Sequence, residues 1–244
     1  MAVSGHHSQT EEAPLISNRF IYRLTTVVAL LALLTAGISL GGRWFGEKIS
    51  LAGHTDSEEL VSLQIGQDKL ELPANIIRFR DQRRSGTSER ADLYLTWPEM
   101  SGFRPELRAR FDDAGQSSTL IFLQLSQSTM SRDMSGRVDP IYSKLFDGPP
   151  EQAEFGLTLH RLDPEAGYGP EVLLTASRPG EDDYAVRCLL PAAGERSTGG
   201  DCQRDIHVGQ DLSVLYRFSS DLLEDWQHID AAVRSFVEAR LSTR

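Results

Sequence analysis

The chain is poor in asparagine, lysine and cysteine. It holds 2 Asn and 3 Lys against 22 Arg, a bias that GC-rich codon usage produces without structural demand, and it points to a GC-rich bacterial source. Neither asparagine, Asn18 in NRF nor Asn75 in NII, opens an N-x-[ST] acceptor, which agrees with that source. No cysteine follows the N-terminal apolar segment to carry a lipid anchor, and no twin-arginine signal precedes it. S-x-x-K, H-E-x-x-H, P-loop and G-x-G-x-x-G patterns are missing and the G-x-S-x-G match at Gly37–Gly41 lies inside the N-terminal apolar run, so the common hydrolase, zincin and nucleotide-binding classes lack their signals in the rest of the chain. A triad scattered along the chain stays open. His54, His160, His207 and His228 have no second histidine at metal-ligand spacing, and Cys188, Cys202 and His207 lack a fourth ligand for zinc. The acids around Asp163 and Glu181–Asp183 sit beside Gly and Pro, without an EF-hand frame. No catalytic residue, metal ligand or cofactor is assigned.

What is present begins with an uncharged run, Leu24–Gly42, of 19 residues. As a helix it covers roughly 28 Å, close to the roughly 30 Å of a bilayer hydrocarbon core. Phe20 and Tyr22 precede it and Trp44 and Phe45 follow it, at the two expected headgroup levels, with Arg23 and Arg43 placed to snorkel outward. A cleaved signal peptide is the rival reading, with a small-x-small site at Ser39-Leu40-Gly41. Its n-region would be unusually long and carry Glu11 and Glu12. The expected layout is a disordered cytosolic tail over 1–19, a transmembrane anchor over 20–43, a linker over 44–58 and one soluble domain over 59–244. The His6–His7 pair of the tail lacks the further ligands a metal site needs.

Arg19 and Arg23 on one side balance Arg43 and Lys48 on the other, so charge does not orient the anchor. The cysteines do. Cys188 and Cys202 are 14 positions apart across loop chemistry, a spacing that suits a disulfide, and disulfides persist in oxidising compartments. Two reduced buried thiols in a cytosolic domain form the alternative. The expected location is the bacterial inner membrane, N-terminus in the cytosol and main domain periplasmic.

The domain reads as strand-rich. Leu60–Ile65 and Lys69–Leu72 alternate around Gly66-Gln67-Asp68 as a hairpin ended by Pro73. Asp92–Trp97, Ser118–Ser126, Phe155–Leu162, Glu171–Ser177, Asp183–Leu190, Asp201–Val208 and Leu212–Phe218 follow as strands between turn signals. Short helices are expected over 104–112 and 137–146. Leu222, Trp226, Ile229, Val233 and Phe236 recur at helical spacing, with Asp221 and Glu224 as a capping box, which predicts an amphipathic helix over 222–241. The expected fold class is α+β: one N-terminal transmembrane helix, then a β-rich, antiparallel, sandwich-like domain closed by that C-terminal helix.

One stretch departs from a net charge of -10. Arg78, Arg80, Arg83, Arg84 and Arg90 crowd into IIRFRDQRRSGTSER, a candidate anion site for a lipid headgroup, an envelope polymer or an acidic partner. The competing reading is a solvated loop neutralised by Asp81 and Glu89. Nucleic acid is not indicated for so acidic a chain. The expected function is a single-pass membrane protein whose extracytoplasmic domain binds or scaffolds an envelope component. An anchored hydrolase and an accessory subunit of a membrane complex are the alternatives.

Overall fold

The computed structural model describes residues 18–50 and 53–242. The His6–His7 tail, and the side chains of Phe20, Arg43, Trp44 and Phe45, lie outside the described residues. The chain divides into two compact units, Met1–Ala52 and Gly53–Arg244.

The first unit contains α1 (Asn18–Ser50), a helix of 33 residues. Its Ile21–Ile38 window has a mean hydropathy of 1.9, none of it is buried, and among the described residues it is the one helix long and apolar enough to cross a membrane. Thr25, Thr26 and Thr35 return their hydroxyls to the carbonyls of Ile21, Tyr22 and Leu31 at 2.8–2.9 Å, so these three hydroxyls are satisfied within the helix. Residues 44–50, expected as linker, continue the helix, because Trp, Phe, Glu, Lys and Ile are tolerated there and no proline stops it. The far end of the expected linker belongs to the second unit: the amides of Asn75 and Ala74 donate to the carbonyls of Ser57 and Glu59.

The second unit holds eleven described strands and two short helices. In order they are β1 (Leu60–Ile65), β2 (Asp68–Pro73), β3 (Gly86–Thr87), β4 (Arg90–Thr96), α2 (Arg108–Asp112), β5 (Leu120–Gln127), β6 (Glu151–Gln152), β7 (Thr158–Arg161), β8 (Val172–Ala176), β9 (Tyr184–Cys188), β10 (Cys202–Val208), β11 (Leu212–Phe218) and α3 (Trp226–Glu238). One sheet has the order β2-β1-β3; the other, of eight strands, runs β4-β5-β11-β10-β9-β8-β7-β6 and is antiparallel throughout. Period-two alternation explains the core. Ala91, Leu93 and Leu95 of β4, Ile121, Leu123 and Leu125 of β5, and Val214 and Tyr216 of β11 share one buried cluster with Leu63 and Leu70 of the small sheet and Ile229, Val233 and Phe236 of α3. The fold is α+β, dominated by antiparallel sheets, as expected.

Two expectations need correction. The predicted helix over 222–241 is a short 3₁₀ turn, Ser220–Asp225, followed by α3, which ends at Glu238. Ser219 caps the turn by accepting from the Asp221 amide, in place of the expected Asp221–Glu224 box. Over 137–146 only 3₁₀ turns form.

The two hairpin loops lock together through a reciprocal pair of carboxylates. Asp68 accepts the amides of Gln210 and Asp211 at 2.9–3.0 Å, while Asp211 accepts the Gln67 amide at 2.9 Å and Gln127 Nε2 at 2.7 Å. Gly66, at φ +55, and Gly209, at φ +71, leave no room for a Cβ against these carboxylates.

Cys188 and Cys202 form a disulfide and face each other directly across β9 and β10. Both are fully buried. The ladder here is short, registered only at Cys202–Cys188 and Gln203–Arg187, whereas β10 and β11 pair over their whole length. The bond therefore staples the weakest internal joint of the large sheet. Replacing both cysteines with serine should lower unfolding stability by about 3 kcal/mol, the value expected for closing a loop of this length, measured by urea denaturation of the detergent-solubilised chain; a change below about 0.5 kcal/mol would remove the staple from the account.

Candidate functional site

Beyond that joint β9 and β10 separate, and side chains replace the missing ladder. Met134 N donates to the Asp205 carbonyl at 3.3 Å, and Ser135 Oγ donates to the Asp183 carbonyl. Arg204, 1% exposed, points from β10 into the apolar face. Its Nη1 donates to Ser135 Oγ at 2.9 Å and to the Ala185 carbonyl at 2.8 Å, and its Nε to Asp230 Oδ1 of α3 at 2.9 Å. Tyr216 OH at 2.7 Å and Arg178 Nη1 at 2.7 Å also donate to the Asp230 carboxylate. Burial by itself raises the Asp230 carboxyl; the Arg204 charge and these hydrogen bonds override it and hold the group below the usual carboxylate range. Burial lowers the Arg204 guanidinium, and Tyr216 and Asp230 raise it past its ordinary value. A cavity of about 340 Å³ meets this cluster at Ser135, Arg178, Arg204 and Arg234. Arg178 and Arg204 are neutralised internally and Asp133, Glu181 and Asp182 also line it, so it offers no uncompensated positive charge.

The outer face of the large sheet is covered at two places and open between them. Over β8 and β9 a second apolar cluster of Met134, Tyr142, Leu162, Leu173 and Ala185 covers it. At the β4 end, Tyr94 is covered by an aromatic group: His54 Nδ1 lies 3.0 Å from Tyr94 OH, the His54 ring stacks on Phe103 at 4.7 Å, and Phe111 lies 4.9 Å from the Tyr94 ring. Burial pushes the Tyr94 phenol up to about 12, against the opposing pull of Arg83. The open part carries Phe122 and Gln124 of β5 beside Arg217 and Leu215 of β11, in register. A hollow of about 50 Å³ sits there, lined by Arg78, Asp92, Phe122, Gln124, Leu215 and Arg217.

The five arginines singled out by sequence do different things. Arg83 turns back onto its own loop, with Nε donating to the Ile77 carbonyl at 2.9 Å and Nη2 to the Arg78 carbonyl at 3.1 Å. Arg90 pairs with Asp92 at 2.9 Å, and Gln82 Nε2 holds the same carboxylate at 2.7 Å. Arg80 and Arg84 are exposed, with no ion-pair partner among the described residues. Arg78 lies over Phe79 and Phe122, its Cζ 5.2 and 5.3 Å from the ring centroids. Sequence reasoning missed Arg217, which shares the hollow with Arg78. Alternation marks it as outward-facing between buried Tyr216 and Phe218, yet no spacing rule joins positions so distant in the chain.

The side chains that could carry scattered catalysis are positioned for other work. Ser128 Oγ lies 2.9 Å from His207 Nε2, but its single proton goes to the Met130 carbonyl at 2.8 Å. The same hydroxyl is therefore shared between His207 and a backbone carbonyl. His160 Nε2 lies 3.0 Å from Thr175 Oγ1 and its ring stacks on Phe146; burial lowers its pKa. His54 joins Tyr94 to Asp112, whose Oδ1 is 3.1 Å from Nε2, within the aromatic group. None of the three histidines lines a described cavity.

No family model and no curated protein matches the chain. A solved structure does. An immunity protein of the Stenotrophomonas maltophilia type IV secretion system is similar over 78% of this chain and 96% of its own, at 19% identity and a TM-score of 0.51. The two share a fold. The iron-regulated outer membrane lipoprotein FrpD of Neisseria meningitidis is similar over 75% of this chain and 95% of its own, at 12% identity and a TM-score of 0.43.

Asp230→Asn leaves Arg204 buried beside a neutral partner and should cost about 3–5 kcal/mol of unfolding stability. Because the Asp230 carboxyl is depressed in the folded state, its contribution is complete above the ordinary carboxylate range and is lost as pH falls through the depressed value. Urea denaturation from neutral pH downward should show an acid-linked loss in the native chain that the variant lacks; superimposable pH profiles would contradict this.

Proposed function

We propose that the protein is a single-pass, membrane-tethered binding module of the bacterial envelope: α1 spans the inner membrane, residues N-terminal to it face the cytosol, and the disulfide-bonded domain stands in the periplasm. The observation that carries the reading is the pairing of a span-length apolar helix with a domain stapled by Cys188–Cys202, since such bonds persist in oxidising compartments. A binding role is supported by the structural contacts of His54, His160 and His207 and by the open, arginine-bearing part of the sheet.

The edges of the sheets favour recognition through side chains over strand addition. Residues 240–242 cover β2, with Glu71 N donating to the Arg240 carbonyl and Ser242 N to the Lys69 carbonyl. Arg78 N and the Ser101 carbonyl occupy β4, Asp147 N and the Leu145 carbonyl flank β7, and the terminal strands β3 and β6 are two residues each, too short to template a partner strand. Trp226, Ile229, Val233 and Phe236 of α3 are buried within the domain, which takes the final helix away from the accessory-subunit alternative as a contact. A more specific form of the reading is an immunity function, the description carried by the Stenotrophomonas fold neighbour.

A C-terminal fusion to a reporter that folds only where disulfides form should be active in cells, and the chain should stay with membranes after carbonate washing with its N-terminal tail retained. An inactive reporter, or a mature chain beginning near Gly42, would overturn the topology.

A further inference from the structure

We infer that the hollow between Arg78 and Arg217 receives a carboxylate side chain from an acidic protein partner, an inference that rests on the binding-module reading and gives its contact surface a chemistry. The sheet's outer face is closed by the aromatic group around Tyr94 and by the cluster around Met134 and Tyr142, so the open part is a local feature of this fold. Its charge is uncompensated. Asp92, the one acid lining the hollow, is held by Arg90 and Gln82, while Arg78 and Arg217 have no ion-pair partner among the described residues, and Arg80 and Arg84, exposed a few positions after Arg78 in the chain, have none either. This stands out in a chain of net charge -10, and it attracts a negatively charged surface.

Shape and floor select a side chain. The hollow, about 50 Å³, is small and is floored by Phe122 and half-buried Leu215, with Arg78 lying over the Phe122 ring and Arg217 paired beside it across the strands. An Asp or Glu can lay its methylene stem on that apolar floor and place its carboxylate between two guanidinium groups, the geometry in which Arg forks bind best. An aromatic floor flanked by arginines is also the composition of energetic centres in protein–protein interfaces.

The test uses the full chain in detergent and a fluorescent ten-residue glutamate peptide as probe, read by anisotropy, with a ten-residue glutamine peptide and phosphatidylglycerol vesicles as comparators. Salt-sensitive binding of the glutamate peptide is expected, weakened roughly tenfold or more when Arg78→Gln and Arg217→Gln are combined and less than about twofold by Arg80→Gln with Arg84→Gln. Both pairs are exposed, and unchanged thermal unfolding of each variant shows that the fold is kept. Equal binding of both peptides, no binding of the glutamate peptide, or equal loss in the two double variants overturns the inference. So does vesicle binding that depends on Arg78 and Arg217 while peptide binding does not. None of these outcomes alters the reporter-fusion result, so the membrane-tethered topology stands or falls separately.

Discussion

The large sheet depends on a joint it cannot make with backbone alone. β9 and β10 pair at two residues, one pair of which is the disulfide, and then diverge, and what holds them beyond that is a buried cation. Arg204 substitutes for a stretch of ladder: it bonds the Ala185 carbonyl across the gap, Ser135 in the inserted segment, and Asp230 on the helix that packs over both strands. Desolvating such a pair is costly, and it holds because the guanidinium and the carboxylate are surrounded by donors and acceptors: Tyr216, Arg178, Ser135 and the Ala185 carbonyl. Strand, helix and loop are thereby fastened to one another at a single buried point.

That joint also decides which part of the sheet's outer face is covered. The segment wedged between β9 and β10 carries Met134, and the chain that follows it adds Tyr142 and Leu145 to the apolar cover over β8 and β9. On the other side of the joint, β5 and β11 receive no such cover, and their outward residues remain Phe122, Gln124, Leu215 and Arg217. That surface is the uncovered part of the sheet's outer face.

Much of the fold was legible in the sequence because its signals are local. Alternation in LVSLQI and LSVLYRF places β1 and β11 at their observed bounds, and the Trp226–Phe236 spacing marks the buried face of α3. Boundaries slipped where local preference gives way to context: α1 runs on to Ser50 for want of a breaker, and the expected capping box yields to Ser219. The core ion pair left a trace that pattern reading passed over. Arg204 stands in the inward positions of Cys202, Ile206 and Val208, and Asp230 lies beside Ile229 on the apolar face of its helix. A charge at an inward position with no visible partner is a signal for a second one elsewhere, but the partner's identity is set by packing between distant segments. The arginine cluster shows the same limit. Composition found the loop, while the geometry committed Arg83 and Arg90 and brought in Arg217.

Amide hydrogen exchange on the full chain, comparing the native protein with Asp230→Asn under disulfide-reducing conditions, bears most directly on the claim that this joint holds the sheet together. The account predicts a sub-global opening in which amides of β7, β8 and β9 lose protection first while β4, β5, β10 and β11 stay protected by their full-length ladders. Loss of protection at the same rate in every strand, or first at β10 and β11, would contradict it.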